Sequence, residues 1–495
     1  MAVDTQKLTI SKNPVNGLAN NPRMQRCLME AADNLGRFLA YRIQRLHSQQ
    51  IPLTRSGAID VINKLRRIQP RSKINKLLKI VDQIPWDSIK GSGMSVVPHS
   101  GTQVFIKNEG FPSGVKPPRL IAFPQEGEKL LMSMAFYHIM FPMFSSGYCT
   151  KEISEHDRPR TIEERLGGLP TRFVADYTSW ECVPNKLIMQ LGEHRVLKYC
   201  THPDYWFLFD LIEAGGTLRA KSGFTIRTTA VQYSGRYTTS LCNTIRNKLM
   251  MDASALYMGL SLDSYRGVFE GDDSLTAWPA WVTQDMIEES LGRLGVSAEI
   301  VKVEDIGKAG YCSMYWNSNY ELVCEPIKVI ATFPFSSSQL SASPKNAKPL
   351  LAAKAMSLAY RAPGCPIVWS IARRYIQTVG LLETRNEYER RWFSQFSVRS
   401  QRKRQNGRQK RSESSMRVSF DRWDLIREPT PQQRRLFLEL FGVTPADQIL
   451  AEEHILNDEG FTTTLISLLS EAQPVVGVNL DELNQIYLRM CEKHF

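Results

Sequence analysis

The residues best suited to chemistry are Asp272 and Asp273, two adjacent carboxylates in the segment Glu270-Gly271-Asp272-Asp273-Ser274. The flanking runs 265–269 and 275–278 are rich in strand-forming residues, so we expect a β-hairpin with both aspartates at its tip. Adjacent carboxylates repel each other, and a divalent cation such as Mg²⁺ offsets that repulsion. The turn therefore indicates a metal-dependent phosphoryl-transfer site. Gly-Asp-Asp also closes ordinary hairpins, so only the neighbouring segments can distinguish a metal site from a simple turn.

A second acidic segment, 173–181, begins with an apolar run and carries Asp176 and, five residues later, Glu181. A carboxylate at the C-terminal end of a strand is placed to share a metal with another turn of the same sheet. The alternative is a helix cap, in which Asp176 accepts hydrogen bonds from the amides of Thr178 or Ser179.

A polar helix is predicted between these two acidic segments. It follows Gly235, which allows a flexible loop, and Thr239, Asn243 and Asn247 share one of its faces at a spacing of four residues. The apolar residues of the opposite flank are Leu241, Ile245 and Leu249. Hydroxyl and amide groups in such a row can bind the hydroxyls of a ribose. An ordinary helix with a Ser/Thr-rich start is the alternative.

A basic segment, 105–121, lies further upstream and carries Lys107, Lys116 and Arg119 among prolines and glycines. Stiff backbone lets cations point at a common target. Because Arg forks match phosphate oxygens and Lys supplies a point charge, a triphosphate is the expected ligand. A solvated basic loop is the alternative.

The order of these four segments resembles the polymerase core of positive-strand RNA viruses, with a layout closest to the noda-like and tombus-like viruses. The segments 107–121, 176–181, 234–243 and 270–274 look like motifs F, A, B and C of that family. The resemblance implies an α+β right-hand fold of fingers, palm and thumb, in which helices flank an antiparallel palm sheet. The implied enzyme is an RNA-directed RNA polymerase, a nucleotidyltransferase that replicates a viral RNA genome from ribonucleoside triphosphates on an RNA template.

The resemblance also implies roles for individual residues. Asp176 and Asp272 would hold two Mg²⁺ ions, for which Mn²⁺ can substitute, and Asp273 would assist them. The implied nucleotide-binding residues are Lys107, Lys116, Arg119, Glu181, Ser234, Gly235, Thr239 and Asn243. Glu181 departs from the family pattern, which usually has Asp there, and its extra methylene moves the carboxylate by about 1.5 Å.

Downstream of the hairpin, the apolar spacing predicts a helix over 286–294 that ends at Gly295, followed by a strand over 298–304. By resemblance this region is motif D, whose lysine protonates pyrophosphate. Both Lys302 and Lys308 fit that role of general acid. A further hairpin is expected over residues 319–329 with Cys324 and Lys328.

A chain of 495 residues suits about three domains. The resemblance divides it into an N-terminal extension (1–95) that bridges fingers and thumb, fingers (96–170), palm (171–185), fingers (186–230), palm (231–332) and thumb (333–495) with a basic segment (398–416) and a C-terminal helical subdomain. The basic segment is expected to be a solvated, mobile stretch, with RNA binding or a nuclear-import signal as alternatives.

Composition agrees with an RNA-binding protein. The formal net charge is +12 and the pI is about 9.2, as an RNA-tracking groove requires. The nine cysteines show no Cys-x-x-Cys pair, which favours a reducing compartment. The most apolar window, 130–144, is too short to span a membrane and predicts a buried helix. The resemblance implies work in the host cytoplasm at membrane-bound replication complexes, with a membrane-associated replicase subunit as a partner besides RNA.

Two other functions compete with this interpretation. A reverse transcriptase shares the palm, but its motif C is expected to read Tyr/Phe-x-Asp-Asp, and it would carry a bulky steric gate. A basic RNA-binding capsid or nucleoprotein would contain the acidic turns only by chance. Incorporation of ribonucleotides or deoxyribonucleotides separates the three.

Overall fold

The computed structural model describes residues 17–66, 71–98, 101–106, 120–178, 180, 183, 185–220, 223, 225–326, 329, 333, 354–379, 381–384, 416–419 and 423–457. The chain divides into two compact units. Residues Met1–Phe105 and Leu120–Cys312 form the first, and residues Ile106–Arg119 and Ser313–Phe495 form the second.

Capping side chains set the ends of several helices in the first unit. Asn21 accepts a hydrogen bond from the amide of Met24 at the start of the first helix, and Thr54 does the same for Gly57 at the second. The helices are α1 (Pro22–Arg45), α2 (Arg55–Leu65), α3 (Arg71–Gln83), α4 (Ile89–Ser92), α5 (Glu126–Phe144), α6 (Arg158–Leu166), α7 (Lys186–Ile188), α8 (His194–Cys200), α9 (Phe207–Ala214), α10 (Thr239–Tyr257) and α11 (Gln284–Leu294). A π-helical turn over Met189–Glu193 joins α7 to α8.

The core of this unit forms where α1 packs against α5, α8 and α10. Helix α5 contains the apolar window 130–144 and is buried along most of its length, which confirms the predicted buried helix. Within the described part of the chain, none of the helices has the length and apolar character needed to cross a membrane. Because α1 belongs to this core, the described N-terminal residues are an integral part of the first unit. Their bridging role stays a prediction.

One four-stranded sheet contains the acidic segments. Its strands are β3 (Thr171–Tyr177), β6 (Arg266–Glu270), β7 (Asp273–Trp278) and β8 (Ala298–Val303), in the antiparallel order β6-β7-β3-β8. Helix α10 contacts β6, and α11 contacts β8. Together these elements follow the β-α-β-β-α-β pattern, with further elements inserted between β3 and α10. The predicted hairpin, the helix that Gly295 ends at φ 80°, and the following strand are all confirmed.

A second four-stranded sheet lies in the inserted part and upstream of it. Its strands are β1 (Thr102–Ile106), β2 (Leu120–Pro124), β4 (Gly216–Ala220) and β5 (Thr225–Thr228), in the order β2-β1-β4-β5. Strand β1 pairs with β4 in parallel, and β4 pairs with β5 antiparallel. The described structure is thus mostly helical with small mixed and antiparallel sheets, which confirms the α+β class.

The second unit contains a short hairpin and several helices. Its described elements are β9 (Tyr315–Trp316), β10 (Leu322–Val323), helical residues 354–361, the helix Val368–Val379, the paired strands Leu381–Thr384 and Met416–Ser419, and the helices Pro431–Phe441 and Pro445–Asn457. The buried Gln433 joins the hairpin to these helices, because its amide donates to the carbonyls of Leu322 and Pro363.

Two predictions fall in the second unit. The hairpin expected over 319–329 lies earlier, over 315–323, because the turn between its strands is built around Asn317, whose side chain accepts from the amides of Asn319 and Glu321. The helices Pro431–Phe441 and Pro445–Asn457 lie in the region of the expected C-terminal helical subdomain, whose place in a thumb stays a prediction. Lys328 and residues 398–415 of the basic segment lie outside the described residues.

Candidate active site

The strand register brings the two acidic segments to one edge of the antiparallel sheet. Ala175 of β3 pairs with Ser274 of β7, so the next position along β3 places Asp176 opposite Asp273. Asp273 in turn pairs with Glu270 of β6, and Asp176 pairs with Glu299 of β8. Each strand therefore contributes one carboxylate to a row across the sheet. We call Glu270, Asp273, Asp176 and Glu299 the carboxylate row.

The hairpin tip adds a fifth carboxylate next to this row. Gly271 and Asp272 form a two-residue loop between the paired residues Glu270 and Asp273. Gly271 has φ 68°, as the first loop residue of a type II′ hairpin requires, and a Cβ atom there would meet no neighbour within 4 Å. The glycine is needed for its backbone conformation rather than for space. Asp176, Asp272 and Asp273 are all exposed to solvent.

Helix α10 holds the Gly-Asp-Asp turn from behind through Asn247. The Asn247 amide nitrogen donates to the carbonyls of Gly271, Asp272 and Asp273 at 3.2, 2.8 and 3.2 Å. Its oxygen accepts a hydrogen bond of 2.8 Å from the hydroxyl of Tyr177, the residue after Asp176. Asn247 is fully buried, so one side chain fixes the backbone beside both acidic segments.

Thr244, one turn earlier in α10, completes this support. Its hydroxyl accepts from the amide of Gly271 at 3.0 Å and donates to the carbonyl of Ser240 at 2.8 Å. We call Thr244 and Asn247 the turn clamp. A helix with polar groups on its sheet-facing side thus satisfies backbone groups that a tight turn leaves without strand partners.

The electrostatics of the row are those of crowded like charges. Although part of Asp273 is exposed, neighbouring protein atoms shield its carboxyl from some of the solvent; this partial desolvation and the charge of Asp272 raise the pKa of Asp273 to about 6, and Glu270 and Asp176 add to the shift. A hydrogen bond from the Cys312 thiol acts in the opposite direction. The neighbouring carboxylates together produce a negative electrostatic potential at this edge of the sheet.

Glu270 is held by groups outside the sheet. Its Oε2 atom accepts a hydrogen bond of 2.7 Å from the hydroxyl of Thr150 and lies 3.3 Å from the guanidinium of Arg158. The Thr150 hydroxyl lies 3.1 Å from that of Tyr311, which is buried. Glu270 is therefore compensated by a cation, whereas the aspartates beside it are the charges exposed for a ligand.

The aspartates fit a divalent cation by their chemistry. Mg²⁺ is commonly held by one or two carboxylates together with waters and substrate phosphates. Among the residues that the structure describes, no group of three or more His, Cys, Asp or Glu side chains is arranged to hold a metal ion. The row is thus a set of neighbouring oxygen donors and not a closed cage, and the assignment of Asp176, Asp272 and Asp273 as metal ligands stays a prediction.

The Ser234–Gly235 loop lies along the free edge of β2. The amide of Gly235 donates to the carbonyl of Ala122 at 2.8 Å, and a Cβ atom at Gly235 would come within 2.6 Å of the Phe123 Cβ. The sequence predicts flexibility at Gly235, whereas the structure shows a close approach of two backbones that leaves no room for a side chain. Ser234 next to it is exposed.

The polar stripe of α10 is used differently along its length. The Thr239 hydroxyl is bound to the carbonyls of Tyr233 and Arg236, at 2.6 and 2.8 Å. Asn243 is half-buried and accepts a hydrogen bond of 3.2 Å from Arg246. The side chain of Asn247 belongs to the turn clamp, so its amide is already bound to the backbone of the Gly-Asp-Asp turn. Ribose binding by Thr239 and Asn243 stays a prediction.

Helix α10 also carries buried charges. Its predicted apolar flank is confirmed, since Leu241, Ile245 and Leu249 are fully buried. The pairs that sequence reasoning missed are Arg246 with Glu193 at 2.6 Å, and Lys248 with Asp252 at 2.8 Å. All four side chains are buried. Of these pairs, only Lys248 and Asp252 have a sequence signal, the spacing of four residues on one helix.

The structure describes both lysines that fit the role of general acid. Lys302 pairs with Phe173 of β3, whose side chain is on the opposite face of the sheet from that of Asp176. Lys308 is exposed and lies 3.7 Å from Asp305. Both stay predictions.

The remaining predicted residues lie outside the described part of the chain; they are Lys107, Lys116, Arg119 and Glu181. The alternative role of Asp176 as a helix cap is not seen at Thr178, whose amide donates to the carbonyl of Ser297, and Ser179 lies outside the described residues. No protein-family model matches the sequence, and no curated protein matches it at a significant level.

Proposed function

We propose that this chain is an RNA-directed RNA polymerase of a positive-strand RNA virus with a right-hand fold, in which the sheet β6-β7-β3-β8 forms the palm. The observation that carries the proposal is the carboxylate row. Asp176 and the Asp272–Asp273 turn are 96 positions apart along the chain (272 − 176), yet the register places them at one sheet edge. An ordinary hairpin turn needs no such second carboxylate.

Asp176 and Asp272 would hold two Mg²⁺ ions, or Mn²⁺, with Asp273 assisting. When bound, these ions would lower the pKa of the attacking 3′-hydroxyl and stabilise negative charge on the leaving pyrophosphate. The protein's own contribution is positional. The turn clamp fixes the backbone on which the carboxylates stand, and such preorganisation lets charged groups act without rearranging during the reaction.

The other predicted residues would bind substrate. Lys107, Lys116 and Arg119 would hold the triphosphate, and Ser234, Thr239, Asn243 and Glu181 would contact the ribose, with Lys302 or Lys308 as general acid. The partners would be template and product RNA, ribonucleoside triphosphates and a membrane-associated replicase subunit at cytoplasmic membranes.

Primer extension on an RNA template tests the proposal. We expect the purified chain to incorporate ribonucleotides in a Mg²⁺-dependent manner, and Asp272→Asn to lower incorporation by at least about 10²-fold. The matched control is Asp82→Asn, which changes an exposed carboxylate on α3 and should retain activity. RNA binding should survive both substitutions.

Three results would contradict the proposal. Synthesis retained by Asp272→Asn would remove the metal assignment. A preference for deoxyribonucleotides would indicate a reverse transcriptase. RNA binding without incorporation of either substrate would indicate a non-catalytic RNA-binding protein.

A further inference from the structure

The second sheet, β2-β1-β4-β5, has one covered face and one open face. The covered face contributes Val104, Ala122 and Leu218 to a small apolar cluster with Tyr233. Because side chains alternate along a strand, the intervening positions point the other way. The outward positions of β1, β4 and β5 are Gln103, Phe105, Thr217, Arg219, Thr225 and Arg227, and all six are exposed. We call these six residues the open face.

The open face is positively charged. Arg219 pairs with Thr225 and Arg227 pairs with Thr217, so the two arginines are diagonal neighbours on adjacent strands. Neither guanidinium is ion-paired within the described residues, and the six positions include no acid. Two bidentate donors that have no ion-pair partner among the described residues thus lie on neighbouring strands, which suits an anionic ligand with repeated phosphates.

An exposed aromatic ring lies on the same face. Phe105 is 51% exposed although phenylalanine is usually buried, and its ring packs edge to face against Phe123 at 5.5 Å. The Lys129 ammonium lies 5.1 Å from the centre of the Phe123 ring and 3.7 Å from a carboxylate oxygen of Glu126, so the charge available to a ligand on this face is that of the two arginines. Exposed aromatic rings beside cations are the means by which proteins bind unpaired bases, by stacking combined with phosphate contacts.

We infer that the open face binds single-stranded RNA, with Arg219 and Arg227 on phosphates and the Phe105 ring stacked on a base. The Ser234–Gly235 loop, which leads into α10, runs along the free edge of β2 in the same sheet. The inference rests on the proposed function for the choice of RNA over other polyanions, but it needs neither the carboxylate row nor a metal.

The test measures RNA binding by fluorescence anisotropy, without nucleotides, in the Asp272→Asn background. The probe is a labelled single-stranded RNA oligonucleotide, compared with the same sequence as a duplex. The site variants are Arg219→Gln/Arg227→Gln and Phe105→Ala, with Phe105→Tyr as the conservative rescue. The matched control is Arg55→Gln/Arg293→Gln, which removes two exposed arginines elsewhere in the first unit.

We expect the double arginine variant to lower the slope of log affinity against log salt by about 1.4, that is about 0.7 for each lost phosphate contact. Phe105→Ala should weaken single-strand binding on the order of tenfold with little change in slope, because stacking is not a charge interaction. Phe105→Tyr should restore it, and duplex binding should depend less on Phe105, because paired bases cannot stack on the ring.

Affinity unchanged in the site variants would overturn the inference, as would equal losses in the control. Unchanged RNA affinity together with altered sedimentation of the site variants would assign the open face to a protein contact and overturn it too. These outcomes are distinct from failure of the proposed function. The wild-type chain could fail to incorporate nucleotides while the open-face variants still lose RNA binding. That result would support this inference and contradict the polymerase assignment.

Discussion

The two sheets of the first unit use charge in opposite ways. One gathers negative charges at the edge of β6-β7-β3-β8, and the fully buried Asn247 of α10 supports the backbone of the acidic turn. The other spreads positive charges over an exposed face of β2-β1-β4-β5. Carboxylates that lie side by side repel one another, which lowers the free energy of unfolding, and they need a backbone that holds them in place. Charges spread over an exposed surface change the free energy of unfolding very little. Carboxylates held in fixed positions are suited to catalysis, whereas an exposed, positively charged face is suited to binding a flexible polyanion.

The largest effect on stability is expected from the buried charges behind the acidic edge. Arg246→Met leaves Glu193 buried and without its cation, which should lower the free energy of unfolding by about 3–5 kcal/mol in denaturant titrations. The double variant Glu193→Gln/Arg246→Met should recover much of this loss, because no lone charge remains. A single variant as stable as the wild type would show that this helix does not depend on the pair.

A smaller but more local effect is expected at the turn clamp. Asn247→Ala removes the donor to three turn carbonyls and the acceptor for Tyr177, and should cost about 2–3 kcal/mol. Amide hydrogen exchange at residues 270–273 should accelerate. Asn243→Ala, in the same helix with one side-chain hydrogen bond, should cost less than about 1 kcal/mol. Equal costs at both positions would contradict the special role of Asn247.

Substitutions of Gly235 and Gly271 should both destabilise the protein, but for different physical reasons. Gly235→Ala forces a Cβ atom against Phe123 and should cost about 1–3 kcal/mol. Gly271→Ala has space but a left-handed backbone, and should cost about 1–2 kcal/mol. Asparagine tolerates the left-handed region, so Gly271→Asn should be better tolerated than Gly235→Asn in thermal unfolding. The reverse order would contradict the account in which Gly235 is required by lack of space and Gly271 by its left-handed backbone.

The smallest effect is expected on the open face. Arg219→Gln/Arg227→Gln changes exposed side chains without ion pairs in the described structure, so the free energy of unfolding should shift by no more than about 0.5 kcal/mol. A larger loss would show that these arginines stabilise the fold, and the contrast between the two sheets would weaken.

The elements of the acidic sheet could be predicted from sequence because their signals are local. The hairpin follows from a glycine turn between strand-forming runs, and α11 from apolar spacing that Gly295 ends. The candidate carboxylates Asp176, Asp272 and Asp273 could be found in the same way, since each stands where a strand meets a turn.

The supporting interactions could not be predicted, because they depend on pairings between distant segments. The sequence identifies Asn247 as a polar position on the face shared with Thr239 and Asn243, but it does not identify the turn carbonyls to which Asn247 donates. Glu299 joins the row only through the register of β8 with β3, and the open face exists only because β1 pairs with β4 across more than a hundred residues. Nothing in the spacing of single residues encodes these pairings.

The central claim is that Asp176 and the Gly-Asp-Asp turn form one cation site. Electron paramagnetic resonance of Mn²⁺ titrated into the wild type, Asp176→Asn, Asp272→Asn and the double variant measures this directly, without any need for activity. Each single substitution should remove most of the Mn²⁺ binding, and the double variant should lose little more, because both residues serve the same ions. Wild-type binding in either single variant, or independent additive losses, would contradict the claim.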